Sequence, residues 1–194
     1  MKTVFFDVDT QLDFVYPAGS LYVPGAERII PAIAHLNRFA AQRGIPVISS
    51  VDAHTENDPE FKSWPAHCIA GTNGQHKAEL TLIEKRVIVP NRPVDISLEG
   101  AQQIILEKQT TDAFLVPNLA KVLDLLAADH FVVYGVVTEV CVLFAARGLL
   151  KAGKEVMIVT DAVQGLTNEA ADRASAEICA AGGSLTTVNN LIVV

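Results

Sequence analysis

Short apolar runs alternate along the chain with longer stretches in which apolar residues recur at helical spacing. Residues 2–9, KTVFFDVD, form the first run, and the carboxylates Asp7, Asp9 and Asp13 lie at and beyond its C-terminal end. Pro24-Gly25 marks a loop, and residues 26–42 then carry the spacing of an amphipathic helix ending at Arg43-Gly44. Residues 45–51 make a second strand. A polar segment, 52–75, follows, rich in turn residues and holding His54, Trp64 and His67. Residues 80–90 read as a strand, broken by Pro90, Pro93 and Gly100, and 104–108 as another that ends in Lys108. A helix is predicted over 118–128. A buried strand begins at 131–133 and breaks at Gly135. Helical spacing then resumes with Val142, Ala145, Ala146, Leu149 and Leu150. A strand over 155–161, a helix over 168–181 and a closing strand over 184–188 complete the pattern.

Strands alternating with helices imply βαβ units, a mostly parallel sheet and a three-layer α/β/α sandwich. No repeat or low-complexity linker interrupts this order, so residues 1–194 read as a single domain. In such sheets the ligand crevice lies outside the carboxyl ends of the strands. Asp9, Asp52, Lys108 and the turn from Gly135 to Cys141 all fall at predicted strand ends.

Composition narrows the classes. Half of the 194 residues are hydrophobic, enough for one well-packed domain and short for two. The formal charge of -7 and the absence of basic clusters argue against nucleic acid or an anionic membrane surface as partner. No apolar stretch is long enough to span a bilayer. The opening MKTVFFDVDTQLDF places acids directly after a short apolar run, which is not a signal-peptide pattern. Three widely spaced cysteines do not form a disulfide framework, and a reducing cytoplasm is the simplest setting.

Cys141 is the first candidate for chemistry. Thr138 stands where an N-cap would, Glu139 follows in the first turn, and unpaired helix N–H groups there favour a thiolate. The plainer alternative is a small buried hydrophobe, since free cysteines are among the most buried residues. A cysteine hydrolase needs a base, a cation and N–H donors for an oxyanion. Asp9 can supply the base and Lys108 the cation, although an acid after a first strand is often a cap and a lysine at a strand end is usually solvated. Convergence of all three on one crevice favours chemistry. A second cluster is Asp52, His54, Glu60 and His67, whose mixed carboxylate and imidazole groups suit zinc, iron or manganese. From spacing alone, a polar loop with two incidental histidines is the commoner outcome. His35, His76 and His130 read as surface or helix-face residues, and Cys68 and Cys179 as core.

Four motifs in order then carry a family resemblance over nearly the whole chain. Asp9-Thr10-Gln11-Leu12-Asp13-Phe14 resembles D-x-Q-x-D-F, and Asp52-Ala53-His54 with Trp64-Pro65-Ala66-His67-Cys68 resembles a metal loop. Lys108 ahead of Asp112-Ala113-Phe114 matches a lysine position, and the segment from Gly135 to Val142 is similar to G-x-x-T-x-x-C-V. Together they resemble the isochorismatase-like cysteine hydrolases, and within them the nicotinamidase branch. The resemblance implies that Asp9, Lys108 and Cys141 are catalytic and that the N–H groups of Val137 and Cys141 form an oxyanion hole beside a cis peptide at Val136–Val137. It further implies one divalent metal, zinc first and iron or manganese as alternatives, on Asp52, His54, Glu60 and His67, with Glu56 or Asp58 as substitutes for Glu60. That metal would anchor a pyridine nitrogen between aromatic walls resembled by Phe14 and Trp64. Thr111 replaces an aromatic residue of the pocket, Leu12 replaces an asparagine, and residues 90–100 match no motif and can reshape the pocket mouth. The implied activity is hydrolysis of nicotinamide, or of another small amide. Isochorismatase itself is disfavoured because that branch lacks the metal loop. An idle binding module is disfavoured by the intact Asp9, Lys108 and Cys141. Members of the superfamily commonly form dimers or tetramers, so the resemblance also implies a homo-oligomer.

Overall fold

The computed structural model describes residues 2–192. Strands β1 (Thr3–Val8), β2 (Val47–Asp52), β3 (Arg86–Val89), β4 (Gln103–Lys108), β5 (His130–Val136), β6 (Glu155–Gln164) and β7 (Ser184–Thr186) form one sheet in the order β3-β4-β2-β1-β5-β6-β7. Every pairing in it is parallel. Six helices connect them: α1 (Leu12–Val15), α2 (Ile30–Arg43), α3 (Leu119–Leu126), α4 (Leu143–Lys151), α5 (Asn168–Ala180) and α6 (Val188–Ile192).

The alternation of side chains along β1 divides the core in two. Val4, Phe6 and Val8 face one way and pack with Ile104, Val133 and Ile158 against Leu119 and Val122 of α3, Leu149 of α4 and Ile178 of α5. Phe5 faces the other way and packs with Val132 and Tyr134 against Ile30, Ile33 and Leu36 of α2, with α6 at the margin. A strand covered on both faces is apolar almost throughout, which is why β1 and β5 read as continuous hydrophobic runs. Asp7 is the exception in β1 and is fully buried. Helix ends follow their local chemistry. Gly44 closes α2 at φ 67, its N–H donating to the Ala40 and Ala41 carbonyls. Thr167 caps α5 by accepting from the Ala170 N–H at 3.1 Å.

The three-layer sandwich agrees with the sequence pattern, and the departures have local causes. Only Arg86–Val89 of the predicted strand over 80–90 joins the sheet, as an edge strand with Ile88 exposed, while Glu79–Thr81 forms a 3-10 turn. Gly135 does not end its strand. β5 continues to Val136, and at φ +119 a Cβ on Gly135 would lie 2.1 Å from the Val8 carbonyl oxygen. The glycine is there because β1 and β5 approach closely. β6 runs on to Gln164 past a register shift opposite Val133 and Gly135. The closing strand stops at Thr186, since the Val188 N–H is captured by Asp161 Oδ1 at 2.9 Å and a short helix begins. Cys68 is buried as expected, but Cys179 is exposed on the outer side of α5, two of whose core-facing residues are Ala174 and Ile178. Residues 90–100 line no part of the active-site pocket. They follow the edge strand and are pinned to the start of α3, where Asn118 Nδ2 donates to the carbonyls of Pro90 (2.9 Å) and Arg92 (2.8 Å).

Candidate active site

Four neighbouring strands, β4, β2, β1 and β5, deliver their C-terminal ends to one place. Asp52 and Lys108 are partners in register at the ends of β2 and β4. Asp9 follows β1 in a left-handed conformation, φ 51, that turns its carboxylate toward them. The Lys108 ammonium, 1 % exposed, lies 2.9 Å from Asp9 Oδ2, 2.5 Å from Asp52 Oδ1 and 3.9 Å from Cys141 Sγ. Ser50 Oγ donates to Asp9 Oδ1 at 2.7 Å. The three residues expected to be catalytic therefore meet around one buried cation.

Cys141 lies in a single π-helical turn, Thr138–Val142, that feeds α4 and follows a cis peptide at Val136–Val137, where the resemblance implied one. Within this turn the N–H groups of Val140 (3.0 Å) and Val142 (3.1 Å) both donate to the Val137 carbonyl. Thr138 does not cap it. The N-cap is Val137, and the buried Thr138 hydroxyl finds no partner among the described residues.

Electrostatics correct the expectation of a resting thiolate. Burial pushes the Cys141 thiol well above the ordinary range, and the neighbouring Asp9 and Asp52 carboxylates add to this, while Lys108 opposes it. Burial likewise raises Asp9, with Asp52 reinforcing it and Lys108 and Ser50 opposing. For Asp52, burial is outweighed by Lys108 and by His54 and His67, which hold its carboxyl far below the usual range. The Lys108 ammonium is disfavoured by burial but rises well above an ordinary lysine, because Asp52, Asp9 and Cys141 surround it. Burial thus disfavours the Cys141 thiolate and raises the Asp9 carboxyl as well.

Asp52 is shared with a second cluster. Its Oδ2 lies 3.7 Å from His54 Nε2 and 3.6 Å from His67 Nε2, too far for hydrogen bonds, and ligand atoms of all three residues lie within 4.8 Å of one another. His54 Nε2 is buried without a hydrogen-bond partner among the described residues. His67 Nδ1 donates to the Pro65 carbonyl at 2.7 Å, which leaves Nε2 as the nitrogen turned toward Asp52. Asp58 Oδ2 stands 3.0 Å behind His54, at Nδ1, as an outer carboxylate commonly does behind a metal-bound imidazole. Donors around one zinc ion are roughly 3–3.5 Å apart at normal bond lengths. The residues present therefore fit a divalent cation. Glu60 lines the same pocket, half-buried, but is not in the close set. Of its two substitutes, Glu56 is exposed and Asp58 is the outer partner of His54.

A pocket open to solvent lies between the clusters. Phe14, Trp64, Thr111, Val137 and Cys141 all line it, and so do Leu21, Val23, Val140 and Leu166, which were not foreseen. Neither were the residues that hold the site together. Gln11 Nε2 donates to the Asp52 carbonyl at 2.7 Å while Gln11 Oε1 accepts the Asp52 N–H at 2.6 Å, a two-point splint on the backbone of the shared carboxylate. Asp13 accepts from the Ser20 N–H (2.9 Å) and the Cys68 N–H (2.7 Å), fixing the chain next to His67. Both were visible as polar residues of the first motif, but only the fold shows what they grip.

A solved pyrazinamidase of Pyrococcus horikoshii in complex with zinc is 30% identical, with a TM-score of 0.78 over 96% of this chain and 99% of that one. A nicotinamidase structure from Bacillus subtilis gives 25% identity and a TM-score of 0.83, covering 96% and 99% of the two chains. The nicotinamidase of Escherichia coli (strain K12) is 25% identical over 202 residues, 93% of this chain and 92% of that protein. A family model described as the Isochorismatase domain matches residues 3–190, so this chain, whose strand ends gather these residues, belongs to the isochorismatase family.

Proposed function

We propose that the protein is a metal-dependent cysteine amidohydrolase, working as one domain, that converts nicotinamide and water to nicotinate and ammonia. The observation that carries this reading is the single buried Lys108 ammonium in contact with Asp9, Asp52 and Cys141, next to an imidazole pair that fits a cation. In this reading the Asp9 carboxylate takes the Cys141 proton and the sulfur attacks the amide carbonyl carbon. The N–H groups of Val137 and Cys141 receive the negative charge that develops on oxygen. As the carbon–nitrogen bond breaks, protonated Asp9 returns the proton to nitrogen and ammonia leaves. Water then adds to the thioester with Asp9 taking its proton, and the acid departs as the thiol re-forms. Lys108 offsets the charge passed between Asp9 and the sulfur. Asp52, His54 and His67, with Glu60 beside them, would hold a divalent ion, which would supply Lewis-acid chemistry toward a ring nitrogen. Phe14 and Trp64 flank the ring, and the zinc-bound pyrazinamidase relative supports this choice of metal.

A second reading keeps the chemistry and changes the substrate to another small amide. It is supported by the polar Thr111 on the pocket wall and by the resemblance to an N-carbamoylsarcosine amidase from Thermoplasma acidophilum at 25% identity. Ammonia release from nicotinamide by zinc-loaded protein, with Cys141→Ala alongside, tests both. Turnover is expected in the first and at least about a thousandfold less in the second. No release from nicotinamide, with release from other amides, selects the second reading, and undiminished turnover in Cys141→Ala removes the nucleophile.

A further inference from the structure

A second buried ion pair lies on the α2 face of the sheet and takes no part in the chemistry above. Asp7, in the middle of β1, has Oδ2 2.7 Å from Lys77 Nζ. Asn37 Nδ2 donates to the same oxygen at 2.9 Å, and Thr10 Oγ1 donates to Oδ1 at 2.9 Å. Lys77 Nζ also contacts the Thr10 hydroxyl, and Tyr134 Oη donates to Asn37 Oδ1 at 2.5 Å. All five residues are buried. Replacing such a pair with apolar side chains is often neutral or stabilising, so stability alone is a weak reason for it.

Position is a stronger one. Residues 75–78 run antiparallel along residues 10–12. The Leu12 N–H donates to the His76 carbonyl (2.9 Å), the Ala78 N–H to that of Thr10 (2.8 Å), and Gln11 Nε2 to that of Gln75 (2.8 Å). Gln11 is also the two-point splint on Asp52. Lys77 nails this segment to both ends of the turn around Asp9, at Asp7 and at Thr10, yet lines no part of the pocket.

We propose that Lys77 is a positioning residue for the cation centre, holding residues 75–78 against the Asp7–Thr10 turn so that Gln11 keeps Asp52 aimed at His54 and His67. This rests on the reading of those three residues as metal ligands. The test is the zinc affinity of metal-stripped full-length protein, measured by competition with a chromophoric chelator, for wild type, Lys77→Met and the double variant Asp7→Asn/Lys77→Met, with the Tm of each. The double variant has no buried unpaired carboxylate, so it is expected to be more stable than Lys77→Met and keeps the test open should that single variant fail to fold. Zinc affinity about tenfold weaker in the double variant, despite a Tm restored toward wild type, is the expected result. Recovery of affinity together with Tm, or equal affinity in all three proteins, overturns the proposal by reducing Lys77 to charge balance. A wild-type protein that does not bind zinc overturns the metal reading itself and this role with it.

Discussion

At the scale of single residues, the proposed chemistry calls on one carboxylate to be a better base than aspartate ordinarily is. In the proposed mechanism Asp9 must be ionised to accept the Cys141 proton, and burial next to Asp52 raises it, so the acid limb of activity is expected above that of an ordinary aspartate. The Ser50 hydroxyl opposes the shift by donating to the charged form. Removing that hydroxyl in Ser50→Ala raises Asp9 further and moves the acid limb of kcat/KM to higher pH. At the acidic end kcat/KM falls by about tenfold, the worth of one hydrogen bond to a charged group. A pH profile of kcat/KM for the two proteins checks this, and an acid limb that stays in place contradicts it. That Asp9, Lys108 and Cys141 converge on one crevice was legible in the sequence, because Asp9 and Lys108 close apolar runs and Cys141 lies in the turn after another, each within a recognisable motif. The roles of Ser50, Gln11 and Asp58 were not. Their partners Asp9, Asp52 and His54 are reached through strand register or a loop turn, and nothing in local patterning distinguishes a gripping glutamine from a solvated one.

At the scale of elements, the sandwich and most of its strands were readable from periodicity, because a parallel sheet buried on both faces demands long apolar runs. Where the reading failed, the failure was at boundaries. Gly135 looks like a breaker, yet its role is close approach. With φ +119 and the Val8 backbone where a Cβ would go, alanine has neither the conformation nor the space. Gly135→Ala is therefore expected to cost more than about 3 kcal/mol in unfolding free energy. A denaturation midpoint within error of wild type would show that β1 and β5 part without loss. The short edge strand β3 was overestimated because Leu80 and Ile88, which lengthen the apolar pattern, are both exposed. Periodicity does not reveal which side of an edge strand is covered.

At the scale of the molecule, a cation held as proposed by Asp52, His54 and His67 would be linked to folding, because only the folded chain brings the three together. An ion that binds only the folded chain, at a hundred times its dissociation constant, contributes about 2.7 kcal/mol. For a chain of this size its removal by a chelator lowers the Tm by roughly 5–10 °C, with recovery on adding zinc back. Scanning calorimetry with and without chelator measures it, and an unchanged Tm would mean that the imidazole pair holds no ion.

The sheet order also dictates a sequence of events during synthesis. β1 is made first and ends in the middle of the sheet, between β2 and β5. Thr3 is paired with His130, so one edge of this strand stays open until residue 130 and those after it have been made. Asp9, Asp52, His54, His67 and Lys108 all lie within that earlier portion, whereas Cys141 follows the strand that closes the gap. On the ribosome Asp9, Lys108 and the proposed cation ligands are thus translated ahead of Cys141, and Leu166 of the pocket wall follows later still.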